Sequence, residues 1–230
     1  MSVIDAPLLL STLRKELRAA WQHISTHHAQ DGLYGFGVYT TDEASYLLVT
    51  AFSEAGLERV VARHMADDRP GAGDAALYRQ SLRWSPCDSP LHELGADLLP
   101  ESDRLVQPID ALLVEESRRV LAEDDDDDDD DGFEEDTEAD LAIEDVIETA
   151  VQALQALDRE GVFGTGAERE RLVLGLWKGD QSNAERHAYA KALNPPAVAR
   201  RFGEELNAGV RAFYAQHFPQ VKAPEDDVFE

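Results

Sequence analysis

The chain has little of what makes a protein crosslinked or chemically reactive. A single cysteine, Cys87, among 230 residues excludes an intrachain disulfide and suits a reducing compartment. No Gly-x-Ser-x-Gly elbow, His-Glu-x-x-His pattern or Cys-x-x-Cys pair occurs, so the local signatures of serine hydrolases and zinc sites are missing. Basic charge is scarce as well: 21 Lys and Arg stand against 47 Asp and Glu, for a net charge of −26. A surface this negative repels phosphate backbones and anionic headgroups, so neither nucleic acid nor a membrane is an expected partner. Basic proteins and metal cations are the partners that electrostatics favours. Long apolar runs are also lacking. Ala6 to Leu10 is too short for a signal peptide or a span, and Asp5 stands where a basic leader would begin, so a soluble cytoplasmic protein is expected.

What the chain does have is acid in one place. Asp124 to Asp131 are consecutive, and Glu123 to Glu148 hold 17 acidic residues with no Lys or Arg between Arg119 and Arg159. Such a run does not enter a packed core, because its carboxylates repel one another and lose hydration on burial. Three readings follow. The first is a solvated, disordered insertion; the second is a docking strip for a basic protein surface. The third, a calcium loop echoed at Asp126, Asp128, Asp130 and Glu138, lacks the glycine required at its sixth position, where Asp131 stands.

The rest of the chain alternates helical and strand signals. Ser11 to Ala29 reads as a helix with Leu13, Leu17, Ala20, Trp21 and Ile24 on one face. Leu33 to Thr40 and Tyr46 to Phe52 read as a hairpin, and Ser53 caps a helix carrying Leu57, Val60, Val61 and Met65. Leu77 to Trp84 reads as a third strand stopped by Pro86, and Leu91 to Leu99 as a short helix. Pro108 opens a helix with Ile109, Leu112, Leu113, Val120 and Leu121. Beyond the acids, Ile143, Ile147, Ala150, Val151, Leu154 and Leu157 form an amphipathic face. Leu172 to Trp177 is a buried strand, and Ser182 with Glu185 forms a capping box for a helix reaching Leu193. Asn194-Pro195 starts a last helix with Val198, Phe202, Leu206, Val210 and Phe213 inward. The expectation is an α+β fold: a small, mainly antiparallel sheet of about four strands packed with several helices. It is one domain over 1–218, with the acidic disordered insertion at 123–138 and an acidic tail at 219–230.

Other motifs favour structural readings. The glycine loop Gly161-Val162-Phe163-Gly164-Thr165-Gly166 follows a helix and precedes a strand, the reverse of a phosphate-binding loop, so it is read as a turn. His23 and His27 share a helix face, but spacing identifies no third metal ligand. Cys87 has no local signature of reactivity. Asp180 is read as organising the turn before Ser182.

Four motifs occur in an order that resembles the bacterial domain-of-unknown-function 4303 family. They are Tyr34-Gly35-Phe36-Gly37-Val38-Tyr39, Arg83-Trp84-Ser85-Pro86, Leu157-Asp158-x-x-Gly161-x-Phe163-Gly164 and Leu193-Asn194-Pro195. The resemblance covers roughly Leu13 to Phe202; the chain departs from the pattern in lacking a tryptophan soon after Pro86. The aspartate run and the tail look like additions. The resemblance implies a compact α+β domain without established catalysis, in a family linked to immunity proteins of polymorphic-toxin loci. The motifs also have a packing reading: Gly35 and Gly37 leave one strand face open to a helix or ring, with Tyr34, Phe36 and Val38 on the other face near Trp84.

The expected function is therefore a non-enzymatic immunity protein that binds a cognate toxin with a basic site, such as a nuclease. The expected partner-binding residues are Asp124, Asp125, Asp126, Asp127, Asp128, Asp129, Asp130, Asp131, Glu134, Glu135 and Asp136. No catalytic residue, metal or cofactor is expected. Two alternatives stand: an enzyme or small-ligand protein using a pocket near Trp84, Gly161 to Gly166 and Asp180, and an acidic scaffold or regulatory module for another basic protein.

Overall fold

The structure is a computed structural model and describes residues 3–67, 74–95, 97–123 and 137–224. Helix α1 (Ala6–His27) begins on Asp5, whose carboxylate accepts the Leu8 N–H at 3.0 Å. That is earlier than the apolar spacing predicts, because the cap and not the periodicity sets the start. Leu9, Leu13, Leu17, Ala20 and Ile24 form its buried stripe. Strands β1 (Leu33–Tyr39) and β2 (Leu48–Ser53) make the expected antiparallel hairpin. Strand β3 (Val173–Trp177) pairs with the other side of β1, in parallel, giving the order β2-β1-β3.

The expected sheet of about four strands, mainly antiparallel, is thus corrected, among the described residues, to three strands with one antiparallel and one parallel pairing. The missing strand is Leu77 to Trp84, which folds as α3 (Ala75–Leu82). Asp74 supplies the reason: its carboxylate accepts the Ala76 N–H at 2.8 Å and fixes a helix start. Tyr78 and Leu82, four apart, then pack on Leu57 and Val61 of α2 (Glu54–Asp67). Ser53 helps to start α2 as expected, with its hydroxyl accepting the Gly56 N–H at 3.1 Å.

All three strands are buried on both faces, so two cores flank the sheet. One face packs Phe36, Val38, Val49, Ala51, Leu174 and Leu176 against α1 and α7 (Glu138–Arg159), with Val106 and Ile109 from α5 (Pro100–Val106) and α6 (Pro108–Glu123). The other face packs Tyr34, Tyr39, Phe52, Val173 and Trp177 against Trp84, Ala190 of α8 (Asn183–Leu193) and Val198, Phe202 and Leu206 of α9 (Pro196–His217).

A bulge decides which residue faces which core. The β1–β2 register shifts between Leu33 and Gly35, leaving Tyr34 unpaired, so Leu33 turns to the first core and Tyr34 to the second. Tyr34 therefore does not share a face with Phe36 and Val38, and Trp84 packs on the glycine side of the strand. Both outer edges of the sheet are met by groups from outside it. On β2, Ser89, just ahead of α4 (Pro90–Leu94), donates to the Ala51 carbonyl at 2.6 Å, and the Val49 N–H donates to the Gly95 carbonyl at 3.4 Å. On β3 the Asn194 amide accepts from Leu174 N–H at 2.8 Å and donates to the Leu174 carbonyl at 2.7 Å, imitating a fourth strand.

Some expected inward faces turn out differently. In α6, Ile109 is buried, but Val114, Val120 and Leu121 are exposed, Leu121 by 74%. In α9 the buried stripe ends at Leu206 and Ala212, and Phe213 is 45% exposed. In α7, Ala139, Ala142, Val146, Ala150, Ala153, Leu154 and Leu157 are buried, whereas Ile143, Ile147 and Val151 are only half-buried. No described helix is long and apolar enough to cross a membrane.

Candidate functional site

The acidic residues Asp124 to Asp131, Glu134, Glu135 and Asp136 lie outside the described residues. What the structure describes is their frame. Helix α6 ends at Glu123, and α7 starts at Thr137, whose hydroxyl accepts the Asp140 N–H while Asp140 accepts the Thr137 N–H at 3.0 Å. These bonds from Thr137 hold the Asp140 carboxyl below its ordinary pKa. Along α7, Glu138, Glu144 and Glu148 are exposed, and none forms an ion pair among the described residues. Leu141, 52% exposed, lies among them, and the unburied end of α6 carries Val120 and Leu121. The sequence's acidic bias thus continues onto a folded helix face with apolar residues close by in the chain.

A second region is built from the family motifs. Gly35 and Gly37 are seats for two indoles. A Cβ on Gly35 would stand 2.8 Å from the Trp84 ring, and one on Gly37 would strike the Gly175 carbonyl and meet the Trp177 ring at 2.7 Å. Tyr34 meets Trp84 edge to face with centroids 4.9 Å apart, and Phe202 does so from the helix side at 4.8 Å. The Trp84 indole N–H donates to Glu205 on α9 at 2.8 Å, and Arg83 Nε donates to the same carboxylate oxygen at 3.1 Å. The Arg83 guanidinium also lies 4.1 Å over the Tyr34 ring and pairs with Glu54 at 2.9 Å. Burial alone would lower the pKa of Arg83, but Glu205 foremost, with Tyr34 and Glu54, raises it above its ordinary value. Burial likewise pushes the Tyr34 hydroxyl up, and that hydroxyl donates to the Arg83 carbonyl at 2.6 Å.

Beside this cluster a cleft of about 310 Å³ opens between α3, α8 and α9. Trp84, Ser85 and Pro86 line one wall, Arg186 and Asn183 of α8 another, and Glu205, Leu206, Val210 and Phe213 of α9 a third. Arg186 is half-buried, and its Nε is closed off from solvent with no hydrogen-bond partner among the described residues. Burial draws its pKa below the ordinary arginine value. Just past Pro86, exposed Cys87 has its Sγ 3.9 Å from the Tyr39 hydroxyl.

Of the three places expected to form one pocket, only Trp84 lines this cleft. Asp180 is exposed in the turn between β3 and α8. The Gly161 to Gly166 loop belongs to the opposite layer, where Phe163 packs with Trp21 and Phe36. It is a helix ending: Gly161 takes φ +74°, its N–H reaches the Asp158 carbonyl, and the Val162 N–H reaches that of Leu157.

The motif Leu193-Asn194-Pro195 meets Leu157-Asp158 through a residue that the sequence reading overlooked. Buried Arg169 donates from Nε to Asp158 at 2.5 Å and from its terminal nitrogens to Asn194 at 3.1 Å and to the carbonyls of Leu172 and Leu193. Arg169, Arg186 and Glu205 carry no local signal, since their partners are fixed by the fold and not by spacing. His23 and His27 lie on the exposed side of α1 with their rings tilted and centroids 4.2 Å apart, and among the described residues no group of three His, Cys, Asp or Glu is placed to hold a metal.

A family model described as a domain of unknown function, DUF4303, matches residues 13–195. No curated protein and no solved structure matches the chain.

Proposed function

The chain belongs to the DUF4303 family, and from that premise we propose that it is a non-enzymatic immunity protein. It binds a cognate toxin whose active site is basic, such as a nuclease, and blocks it. The observation that carries this reading is the outward face of α7. Glu138, Glu144 and Glu148 stand exposed with no counter-charge among the described residues, in a chain of net charge −26. Uncompensated acid of this density costs stability through self-repulsion, and what it gains is attraction to a basic surface. The acids Asp124 to Asp131, Glu134, Glu135 and Asp136 extend the same charge in sequence. They speed the encounter, while shape on the folded surface supplies selectivity.

The test is co-expression with the product of the neighbouring gene, scored by co-purification and by protection of the host from toxicity. Deleting Asp124 to Asp131 lowers the association rate at low salt by about tenfold or more, and the difference shrinks at high salt. An unchanged association rate at both salt concentrations removes the acidic run from the binding surface. A neighbouring product that neither binds nor harms the cell sinks the immunity reading.

A further inference from the structure

Acids outnumber bases more than two to one in this chain, and many of its guanidiniums are held by carboxylates. Arg14 and Arg18 share Glu160, Arg79 and Arg83 share Glu54, and Arg169 holds Asp158. Arg186 is different: it is half-buried, its Nε is occluded with no hydrogen-bond partner among the described residues, and Glu185 acts on its charge without forming an ion pair with it. Leaving an occluded N–H donor without a partner carries a cost that a fold usually avoids. Here it falls on the wall of a cleft.

We propose that the cleft between α3, α8 and α9 binds a small aromatic monocarboxylate, its carboxylate on Arg186 and its ring against Trp84 and Phe213. This goes beyond the immunity reading and does not depend on it, because the cleft lies across the sheet from α7. A planar carboxylate matches the guanidinium fork. Glu205, the other charge lining the cleft, is already held by Arg83 and Trp84, so it does not satisfy Arg186. One cation, with Glu205 on the cleft wall, Glu185 acting on it from its own helix and a strongly negative chain around it, balances at most a single negative charge and disfavours a phosphate dianion. A volume of about 310 Å³ is at the small end of ligand sites and suits one ring, not a nucleotide. The apolar side chains of Leu206, Val210 and Phe213 supply the face such a ring needs.

Calorimetry on the full chain tests this with 3-phenylpropionate, its uncharged amide, N-acetylphenylalanine and phenyl phosphate. Saturable binding of 3-phenylpropionate is expected, with the amide weaker by about tenfold or more. Arg186→Gln should lower the affinity by a similar factor while leaving the melting temperature unchanged or raised, since it removes a desolvated charge. A purely structural Arg186 predicts the opposite melting shift. Phe213→Ala, at a half-exposed position, should weaken binding several-fold and keeps the test open if Arg186→Gln fails to fold. Tighter binding of N-acetylphenylalanine would assign the carboxylate to a peptide end in place of a free acid. The proposal is overturned if none of the carboxylates saturates at millimolar concentration, if the amide or phenyl phosphate binds as well, or if Arg186→Gln binds like the wild type.

Discussion

At the scale of single residues, glycines with different jobs separate packing from backbone conformation. Gly37 sits opposite Gly175 on the parallel pairing, with the Trp177 ring over both, so an added methyl group collides with backbone that has nowhere to move. Gly37→Ala is therefore expected to cost about 3 kcal/mol or more in chemical denaturation. Gly161 has only Thr165 near its Cβ position, at 3.7 Å, and its constraint is φ +74°. Gly161→Ala should cost only about 1–2 kcal/mol, the usual left-handed penalty. Equal losses at the two sites would mean that the indole seat is softer than its geometry. The open glycine face was legible in Tyr34-Gly35-Phe36-Gly37, because alternation in a strand is a local property. The side taken by Tyr34 was not, because a bulge depends on how β2 pairs. Glu205 lies 121 residues from Trp84 and answers to no spacing rule.

At the scale of elements, caps were the most readable signals. Ser182 and Glu185 form the capping box that opens α8, with the Ser182 hydroxyl accepting the Glu185 N–H at 3.2 Å and the Ser182 N–H donating to Glu185 at 2.9 Å. The Ser182 hydroxyl and amide together hold the Glu185 carboxyl below its ordinary pKa. A depressed folded value means stability that is present above the unfolded pKa of about 4.3 and is lost as pH falls through the lower folded value. Ser182→Ala should therefore cost about 1 kcal/mol near neutral pH, and its deficit against the wild type should narrow in acid. Urea denaturation across that range measures it; a deficit independent of pH would show that the carboxylate takes no part. The same logic explains the expected strand that folds as a helix. Asp74 is as clear a cap as Ser182, but the aromatic and apolar residues after it also suit a strand, and only packing on α2 decides between them. The parallel placement of β3 was beyond the sequence altogether, because pairing direction is settled by the helices that cross between β1 and β3.

At the scale of the whole molecule, the charge is unevenly spread. Ion pairs such as Arg83 with Glu205 and Glu54, or Lys178 with Asp42 and Glu185, tie the layers on the Trp84 side. No such pairing reaches Glu138, Glu144 or Glu148 on α7 among the described residues. Self-repulsion there is long-ranged at low salt and vanishes as the Debye length falls from about 30 Å at 0.01 M to about 3 Å at 1 M. The melting temperature should accordingly rise with added salt. Replacing Glu144 and Glu148 together by Gln should stabilise the fold at low salt by about a few tenths of a kcal/mol per site, raising the melting temperature and flattening its salt dependence. Glu138 is the wrong residue for this test, because in the first turn of α7 it also complements the helix dipole. A double variant with the salt curve of the wild type would mean that α7 repels nothing, and the folded part of the acidic surface would then have no claim on a basic partner.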